Sequence, residues 1–208
     1  MILIGLGSKA RQGKDYVAKY MQETIPGIKL YSYARMLKEY CRDHHDELLP
    51  KWQLFQQTKL MPFQKDDPIY GYTPILQWFG TEVIRKQSPN HWVDCVADQI
   101  KIDEPAIAII TDVRFSNEAY FIKNHDGYMV EVIRINKDGT RYYDPGRDKT
   151  HKSETSLDDY EGWDFIIRCQ SGDLDSLRLK SQRVLETIIN QQCATPDSVP
   201  DATGCSCD

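Results

Sequence analysis

The stretch Ile2-Leu3-Ile4-Gly5-Leu6-Gly7-Ser8-Lys9-Ala10-Arg11-Gln12-Gly13-Lys14-Asp15 decides the fold. Its apolar start is the right length for one buried strand. A loop carrying Gly7, Gly13 and Lys14 follows, and Asp15-Tyr16-Val17-Ala18 opens a helix. Strand, glycine loop and helix in that order make a cradle for phosphate. Glycines let backbone N–H groups curl around phosphate oxygens, the helix N-terminus adds its positive dipole, and Lys14 adds a point charge. The segment Ser8-Lys9-Ala10-Arg11-Gln12-Gly13-Lys14-Asp15 is therefore the expected ATP-binding loop. It departs from the usual G-x-x-x-x-G-K-[ST] at two places. Ser8 stands at the first glycine, and Asp15 replaces the hydroxyl residue that normally binds magnesium. A carboxylate there can meet magnesium directly or through water.

Outward from this loop, strands are expected at residues 1–7, 28–33, 105–111, 127–135 and 163–168. Ile107-Ala108-Ile109-Ile110 is continuously apolar, as in a strand buried on both faces. Helices are expected at 14–24, 34–48, 73–87, 90–101, 116–124 and 173–190. This alternation predicts an α/β fold, a parallel sheet covered by helices on both faces, in one domain spanning residues 1–190. Two irregular stretches, 49–72 and 136–153, interrupt it and have the length of functional lids or disordered segments. Pro196, Pro200 and Gly204 among polar residues predict a disordered tail over 191–208.

Composition narrows the function. The formal net charge is −5, which argues against a protein that lives on nucleic acid or an anionic membrane. No apolar run approaches the roughly 20 residues that span a bilayer, and the apolar start lacks the basic flank of a signal peptide. The six cysteines, two of them the C-x-C pair Cys205 and Cys207, have neither metal-ligand spacing nor a disulfide framework. The expectation is a reducing, cytoplasmic setting.

Four further segments carry candidate chemistry. Ile109-Ile110-Thr111-Asp112-Val113-Arg114 ends an apolar strand in an acid and a base. Asp112, with Asp15, is a candidate to order magnesium, and Arg114 a candidate to hold a phosphate. In Gln77-Trp78-Phe79-Gly80-Thr81-Glu82-Val83-Ile84-Arg85, the residues Gln77, Thr81 and Arg85 recur at helical spacing. An amide, a hydroxyl and a guanidinium on one face suit a base and a phosphate. Gly80 costs about 1 kcal/mol of helix propensity and so points to a close approach of a ligand or another backbone. Arg141 and Arg147 lie in the basic 136–153 loop, where they can close over a triphosphate and keep water out. His151 in the same loop is more simply a local hydrogen-bonding residue. Arg35 and Lys38, one turn apart after the second strand, are candidates for the acceptor phosphate.

Taken in order, these motifs resemble those of the deoxynucleoside monophosphate kinases of tailed bacteriophages. The resemblance runs from about residue 1 to 190. It rests on Gly13-Lys14-Asp15, Ala34-Arg35-Met36-Leu37-Lys38, Gln77 to Glu82 with Arg85, Asp112-Val113-Arg114-Phe115 with Asn117-Glu118, His151-Lys152-Ser153-Glu154, and Ser171-Gly172-Asp173-Leu174. Asp15 fits that family, whereas Ser8 departs from its glycine. The resemblance implies a P-loop NTPase three-layer sandwich with a helical acceptor-binding insertion, about 31–101, and a lid, about 136–153. It implies transfer of the ATP γ-phosphoryl group, with magnesium, to a deoxynucleoside 5′-monophosphate for viral DNA precursor synthesis, commonly by a homodimer.

On this reading Lys14, Asp15, Arg114, Arg141 and Arg147 serve the transfer. Arg35, Lys38, Arg85 and Arg114 take the acceptor phosphate, while Gln77, Trp78, Thr81 and Glu82 take base and sugar. Asp15 and Asp112 serve the metal. A phosphomevalonate-type kinase shares the G-K-D loop and the D-V-R segment, and a nucleotide-binding module without turnover is a third reading. The Gln77–Arg85 helix tilts the choice toward an acceptor that carries a base.

Overall fold

The computed structural model describes residues 1–44, 46–48, 50–51, 76, 78–145 and 149–194. Five parallel strands make one sheet in the order β2-β3-β1-β4-β5. They are β1 (Ile2–Gly7), β2 (Ile28–Tyr31), β3 (Ile107–Val113), β4 (Tyr128–Ile135) and β5 (Phe165–Gln170). β1 lies at the centre, with Ile4 opposite Ile109 on one side and Tyr128 on the other.

The helices are α1 (Lys14–Thr24), α2 (Tyr33–Asp43), α3 (His91–Asp103), α4 (Ser116–Asn124), the short α5 (Lys152–Thr155) and α6 (Leu174–Ala194). The period-2 alternation of the strands divides the core into two layers. Ile4, Leu6, Ile109, Val130, Val132 and Ile167 face Val17, Ala18 and Met21 of α1 and Leu177, Leu185 and Ile188 of α6. Leu3, Ala108, Ile110 and Met129 face Trp92, Val93, Val96 and Ile100 of α3 and Ala119 and Ile122 of α4. Each fully buried aliphatic side chain contributes about 1.5–3 kcal/mol of burial free energy. β3 supplies both layers, which explains its unbroken apolar run.

All five expected strands are present, with shifted ends. β2 stops at Tyr31 because Ser32 caps α2, its hydroxyl accepting from the Arg35 amide at 3.2 Å. β3 continues through Asp112 to Val113, and β5 begins at Phe165 rather than 163. α2 ends at Asp43 with a turn at His44, and residues 46–48 of the expected stretch are helical again. α6 runs to Ala194, past the expected residue 190 and into the stretch expected to be a tail. Residues 195–208 lie outside the described residues, as does most of 49–72.

The expected helix over 73–87 differs in kind. Residues Trp78–Ile84 form a π-helix, continued by one α-helical turn at Arg85–Gln87. Such wide turns cluster at functional sites. The expected lid begins as a turn rather than a free loop. Ile135 bridges antiparallel to Arg141, and Gly139 takes a left-handed φ of 84° in the turn between them.

The sheet's C-terminal edge, where β1, β2 and β3 end, opens to the outside. β1 connects toward β2 while β3 crosses over to β4, so the chain changes direction at that edge. Such switch points are where open α/β sheets bind ligands.

Candidate active site

A cavity of about 400 Å³ lies along that edge. One end is the phosphate loop, lined by Arg11, Gln12, Gly13, Lys14 and Asp15. The middle is lined by Ser32, Ala34, Thr111, Asp112, Arg114 and Ser153. The far end draws Tyr33, Leu37 and Lys38 from α2, Gly80 and Thr81 from the π-helix, and Arg85, Trp92, Phe115 and Glu118 from the elements that follow.

At the loop end, Gly13 caps α1 with a left-handed φ of 99°. Only glycine takes that conformation without strain. It lets the loop amides and the first turn of α1 converge on one point, as an anion site requires. Lys14 is buried, and its ammonium donates to the loop carbonyls of Ser8 at 3.0 Å and Lys9 at 2.8 Å. Burial, helped by the nearby Arg114 charge, lowers its pKa to about 7 against the pull of Asp112, Glu154 and Asp15. A buried ammonium held only by neutral carbonyls favours an arriving anion.

The loop is tied to the lid region by side chains. Gln12 is buried, donating to the Tyr142 carbonyl at 2.7 Å and accepting from the Arg134 amide at 2.8 Å. The carboxylate of Glu154, on α5, accepts from the Ala10 amide at 2.9 Å with one oxygen and from Arg114 Nη1 at 2.6 Å with the other. Lys9 donates to the Glu154 carbonyl at 2.7 Å. One buried acid thus bridges the phosphate loop and the strand-end arginine.

At the far end, Arg85 Nη2 and Glu118 Oε1 are paired at 2.5 Å, both largely buried. Glu118 also accepts from the backbone amides of Arg114 at 2.7 Å and Phe115 at 3.0 Å. Burial raises the Glu118 pKa to about 7, although Arg85 and the two amides pull it down. The Arg85 guanidinium stacks 4.1 Å from the Phe115 ring. Gly80 is where the π-helix meets α2. A Cβ there would lie 2.6 Å from Leu37 Cδ2, and its carbonyl accepts from Trp92 Nε1 at 3.2 Å. The close approach that glycine signals is thus to a neighbouring side chain.

The chain has relatives among curated proteins. Over 185 residues the chain is 31% identical to a protein of Acanthamoeba polyphaga mimivirus assigned as a deoxynucleotide monophosphate kinase. That match covers 80% of this chain and 88% of the mimivirus protein. The chain belongs to the deoxynucleotide monophosphate kinase family. It is also 26% identical over 194 residues to the deoxynucleoside-5′-monophosphate kinase of Escherichia phage T5, covering 64% of this chain and 78% of that protein. Among solved structures, dephospho-CoA kinase from Campylobacter jejuni superposes with a TM-score of 0.51 at 14% identity, over 89% of this chain and 96% of that one. This likeness shows the P-loop kinase fold. No protein-family model matches the chain.

Measured against this family frame, the cavity collects Arg11, Gln12, Gly13, Lys14, Asp15, Lys38, Thr81, Arg85, Asp112 and Arg114 of the expected site residues. Others lie elsewhere. Ser8, Lys9 and Ala10 do not line it: Ser8 accepts from Arg141 Nη2 at 2.8 Å, and Lys9 and Ala10 are taken by Glu154. Arg141 pairs with Glu131 at 3.0 Å and does not line the cavity. Arg35 points along the outer face of α2, where it is half exposed and pairs with Glu39 at 3.7 Å. Trp78 packs beside Phe79 with the apolar group under α2, and Glu82 is likewise absent from the cavity wall. Gln77 and Arg147 lie outside the described residues.

Asp112 is more committed than a free metal ligand. It accepts from Ser32 Oγ at 2.9 Å, the Tyr33 amide at 2.9 Å and the Ala34 amide at 2.8 Å, capping α2 across the strands. Asp15 is exposed on the cavity wall and makes no hydrogen bond or ion pair among the described residues. No cluster of three or more His, Cys, Asp or Glu side chains occurs there that would hold a metal by itself. The donor set therefore fits magnesium carried mainly by nucleotide oxygens and water, with one carboxylate beside it.

Tyr33, Trp92, Phe115, Glu118, Ser153 and Glu154 were not assigned to the site from the sequence. Trp92 and Tyr33 also belong to the buried apolar layer on the α3 side of the sheet. The available signal for Glu118 and Glu154 was an acid placed near an arginine motif, which is equally the signature of a helix cap.

Proposed function

We propose that this chain transfers the γ-phosphoryl group of ATP to a deoxynucleoside 5′-monophosphate, giving ADP and the deoxynucleoside diphosphate. One observation carries the reading: a single cavity has an anion-binding loop at one end and, at the other, the Arg85 guanidinium beside the aromatic ring of Phe115, with Trp92 in the same wall. The first suits a triphosphate. The second suits a small acceptor that has both a phosphate and a flat base.

On this reading the loop amides from Arg11 to Lys14 and the first turn of α1 hold the donor phosphates. Lys14 leaves its carbonyl partners for the phosphate oxygens and gains a proton-retaining partner. Arg114, held in place by Glu154, faces the region between donor and acceptor and stabilises charge on the group in transit. Arg85, held by Glu118, and Lys38 grip the acceptor phosphate, whose oxygen attacks directly. Thr81 and the wall of Trp92, Leu37 and Phe115 receive the nucleoside. No protein nucleophile is required, because positioning and charge stabilisation do most of the work. Asp15 and Asp112 are the residues that would hold magnesium or its water shell, and the metal would offset charge on the donor phosphates. The 31–101 and 136–153 regions act as acceptor-binding insertion and lid. The expected homodimer, cytoplasmic setting and lack of nucleic-acid or membrane partners belong to the same proposal. The acidic net charge argues against nucleic-acid and anionic-membrane partners.

The test is a coupled ADP-release assay with Mg-ATP against dTMP, dGMP, dAMP, dCMP, the ribonucleotides and phosphomevalonate. Turnover with one or more deoxynucleotides is the expected result. Turnover with phosphomevalonate alone moves the chain to that kinase class. ATP binding with no turnover on any acceptor leaves a nucleotide-binding module.

A further inference from the structure

Gly80 and Leu37 touch where the π-helix meets α2, and both line the far end of the cavity. The fit is close. A Cβ on Gly80 would lie 2.6 Å from Leu37 Cδ2 and 3.4 Å from Cδ1, so a methyl group there must push that side chain aside. The two elements have little room to part. The Gly80 carbonyl is held by Trp92 Nε1 at 3.2 Å, and Trp92 is buried. The adjacent Phe79 is buried as well and stacks on Tyr40 of α2, with ring centroids 5.4 Å apart. Leu37 packs against both the apolar group of Trp92 and the one formed by Phe79 and Cys41. Close-packed interiors resist being spread, and the open space beside Leu37 is the cavity that it lines.

The chemistry of this corner matches one part of a nucleotide. Leu37 carries no polar atom. The indole N–H of Trp92 is that residue's single polar group, and it is spent on Gly80. Leu76 adds a third apolar residue to the same lining. Aliphatic and aromatic surface of this kind suits the flat body of a base and offers nothing to a phosphate.

We infer that the contact between Gly80 and Leu37 sets the width of the acceptor end and thereby how bulky a base the enzyme accepts. This rests on the acceptor being a deoxynucleoside monophosphate. Gly80 is then a specificity-determining residue. Because it lacks a Cβ, Leu37 lies back against the π-helix, and the space left in front of Leu37 belongs to the base.

The experiment compares wild type, Gly80→Ala, Leu37→Ala and the double variant on dGMP, dAMP, dTMP and dCMP, reading kcat/KM for each acceptor and the KM for ATP. Gly80→Ala drives Leu37 into the cavity and lowers the ratio of purine to pyrimidine kcat/KM by roughly 10-fold or more, the effect of one methyl-sized change in an apolar pocket. Leu37→Ala raises that ratio by a similar factor. In the double variant the added methyl group occupies space that Leu37 has left, and the ratio returns to within about threefold of wild type, as coupled neighbours require. The KM for ATP stays unchanged throughout. A wild type confined to pyrimidines gains purine turnover with Leu37→Ala, and one confined to purines loses it with Gly80→Ala. Ratios that move in neither single variant, a double variant that fails to restore them, or an equal rise in the KM for ATP each overturn the inference. If Gly80→Ala does not fold, an unchanged ratio in Leu37→Ala overturns it by itself. If wild type turns over no deoxynucleotide, the functional reading fails and takes this inference with it. If wild type is active and the ratios stay fixed, only the inference fails.

Discussion

At one end of the cavity, consecutive residues from Arg11 to Asp15 make the wall, shaped by a left-handed glycine and the start of α1. At the other end, Tyr33, Lys38, Thr81, Arg85, Trp92 and Glu118 arrive from several elements, and a buried ion pair fixes Arg85 against Glu118. The loop works through backbone amides, so its chemistry is nearly independent of what packs around it. The far end works through side chains whose charges must be balanced to fold at all. Substitutions at the two ends should therefore fail differently: loss of turnover in a stable protein at the first, mixed loss of stability and affinity at the second.

The largest separation of the two failures is expected at Lys14. Lys14→Ala removes a donor aimed at the transferring phosphates, and turnover falls by on the order of 10²–10³-fold or more. Folding does not suffer, because the buried ammonium it deletes is held only by loop carbonyls. The assay is steady-state ADP release beside a thermal melt. A melting temperature that drops sharply, or turnover that survives, would erase the contrast.

Arg85→Ala is the counterpart. It leaves Glu118, whose side chain is 2% exposed, without its cation. Breaking one side of a buried pair costs about 3–5 kcal/mol. The sign with pH follows from Glu118. Its pKa is raised from 4.5 to about 7 in the folded state, so its contribution is present at low pH and lost as pH rises through 7. Without Arg85 the raised pKa moves higher still, and the variant should be least impaired in mildly acid solution. Chemical denaturation at pH 6 and pH 8 reads this directly. Equal destabilisation at both would mean that Glu118 is not the group left uncompensated.

The same contrast explains what the sequence disclosed. The order of strands and helices was legible because each depends on local periodicity, and Ile107 to Ile110 could only be a strand buried on both faces. The phosphate loop was legible because its function needs a fixed spacing of Gly13, Lys14 and Asp15 along one turn. The far end was partly legible: Thr81 and Arg85 do share the cavity, although they do so from a π-helix and the turn that follows it. Arg35 and Trp78 did not follow, because a helical segment has several faces and only tertiary packing decides which one looks inward. Glu118 and Glu154 were opaque for a different reason. Each acts through an arginine far away in sequence, and no spacing rule links positions 85 and 118 or 114 and 154.

A milder test sharpens the electrostatics of the loop end. Lys14 carries a pKa lowered from 10.5 to about 7, so at pH 8 the ligand-free enzyme holds it largely neutral. Triphosphate beside it restores the proton. ATP binding should take up close to one proton at pH 8 and far less at pH 6, and affinity should weaken as pH rises above 7. Calorimetry in two buffers of different ionisation enthalpy measures the uptake. Absence of uptake at pH 8 in wild type, or uptake that persists in Lys14→Ala, would assign the proton to another group.

The smallest effect tests the geometry of α2 itself. Arg35 and Lys38 are one turn apart, and the sequence offers no reason to prefer either. The structure separates them: Lys38 lines the cavity, while Arg35 is half exposed and paired with Glu39 at 3.7 Å along the same helix. Such an exposed pair contributes roughly 0–1 kcal/mol, so Arg35→Ala should change kcat/KM for the acceptor by less than about twofold and barely move the melting temperature. Lys38→Ala should raise the acceptor KM roughly 10- to 100-fold, the worth of one charge-assisted hydrogen bond, with ATP affinity unchanged. The reverse order would mean that α2 turns its other face to the acceptor when substrate is bound.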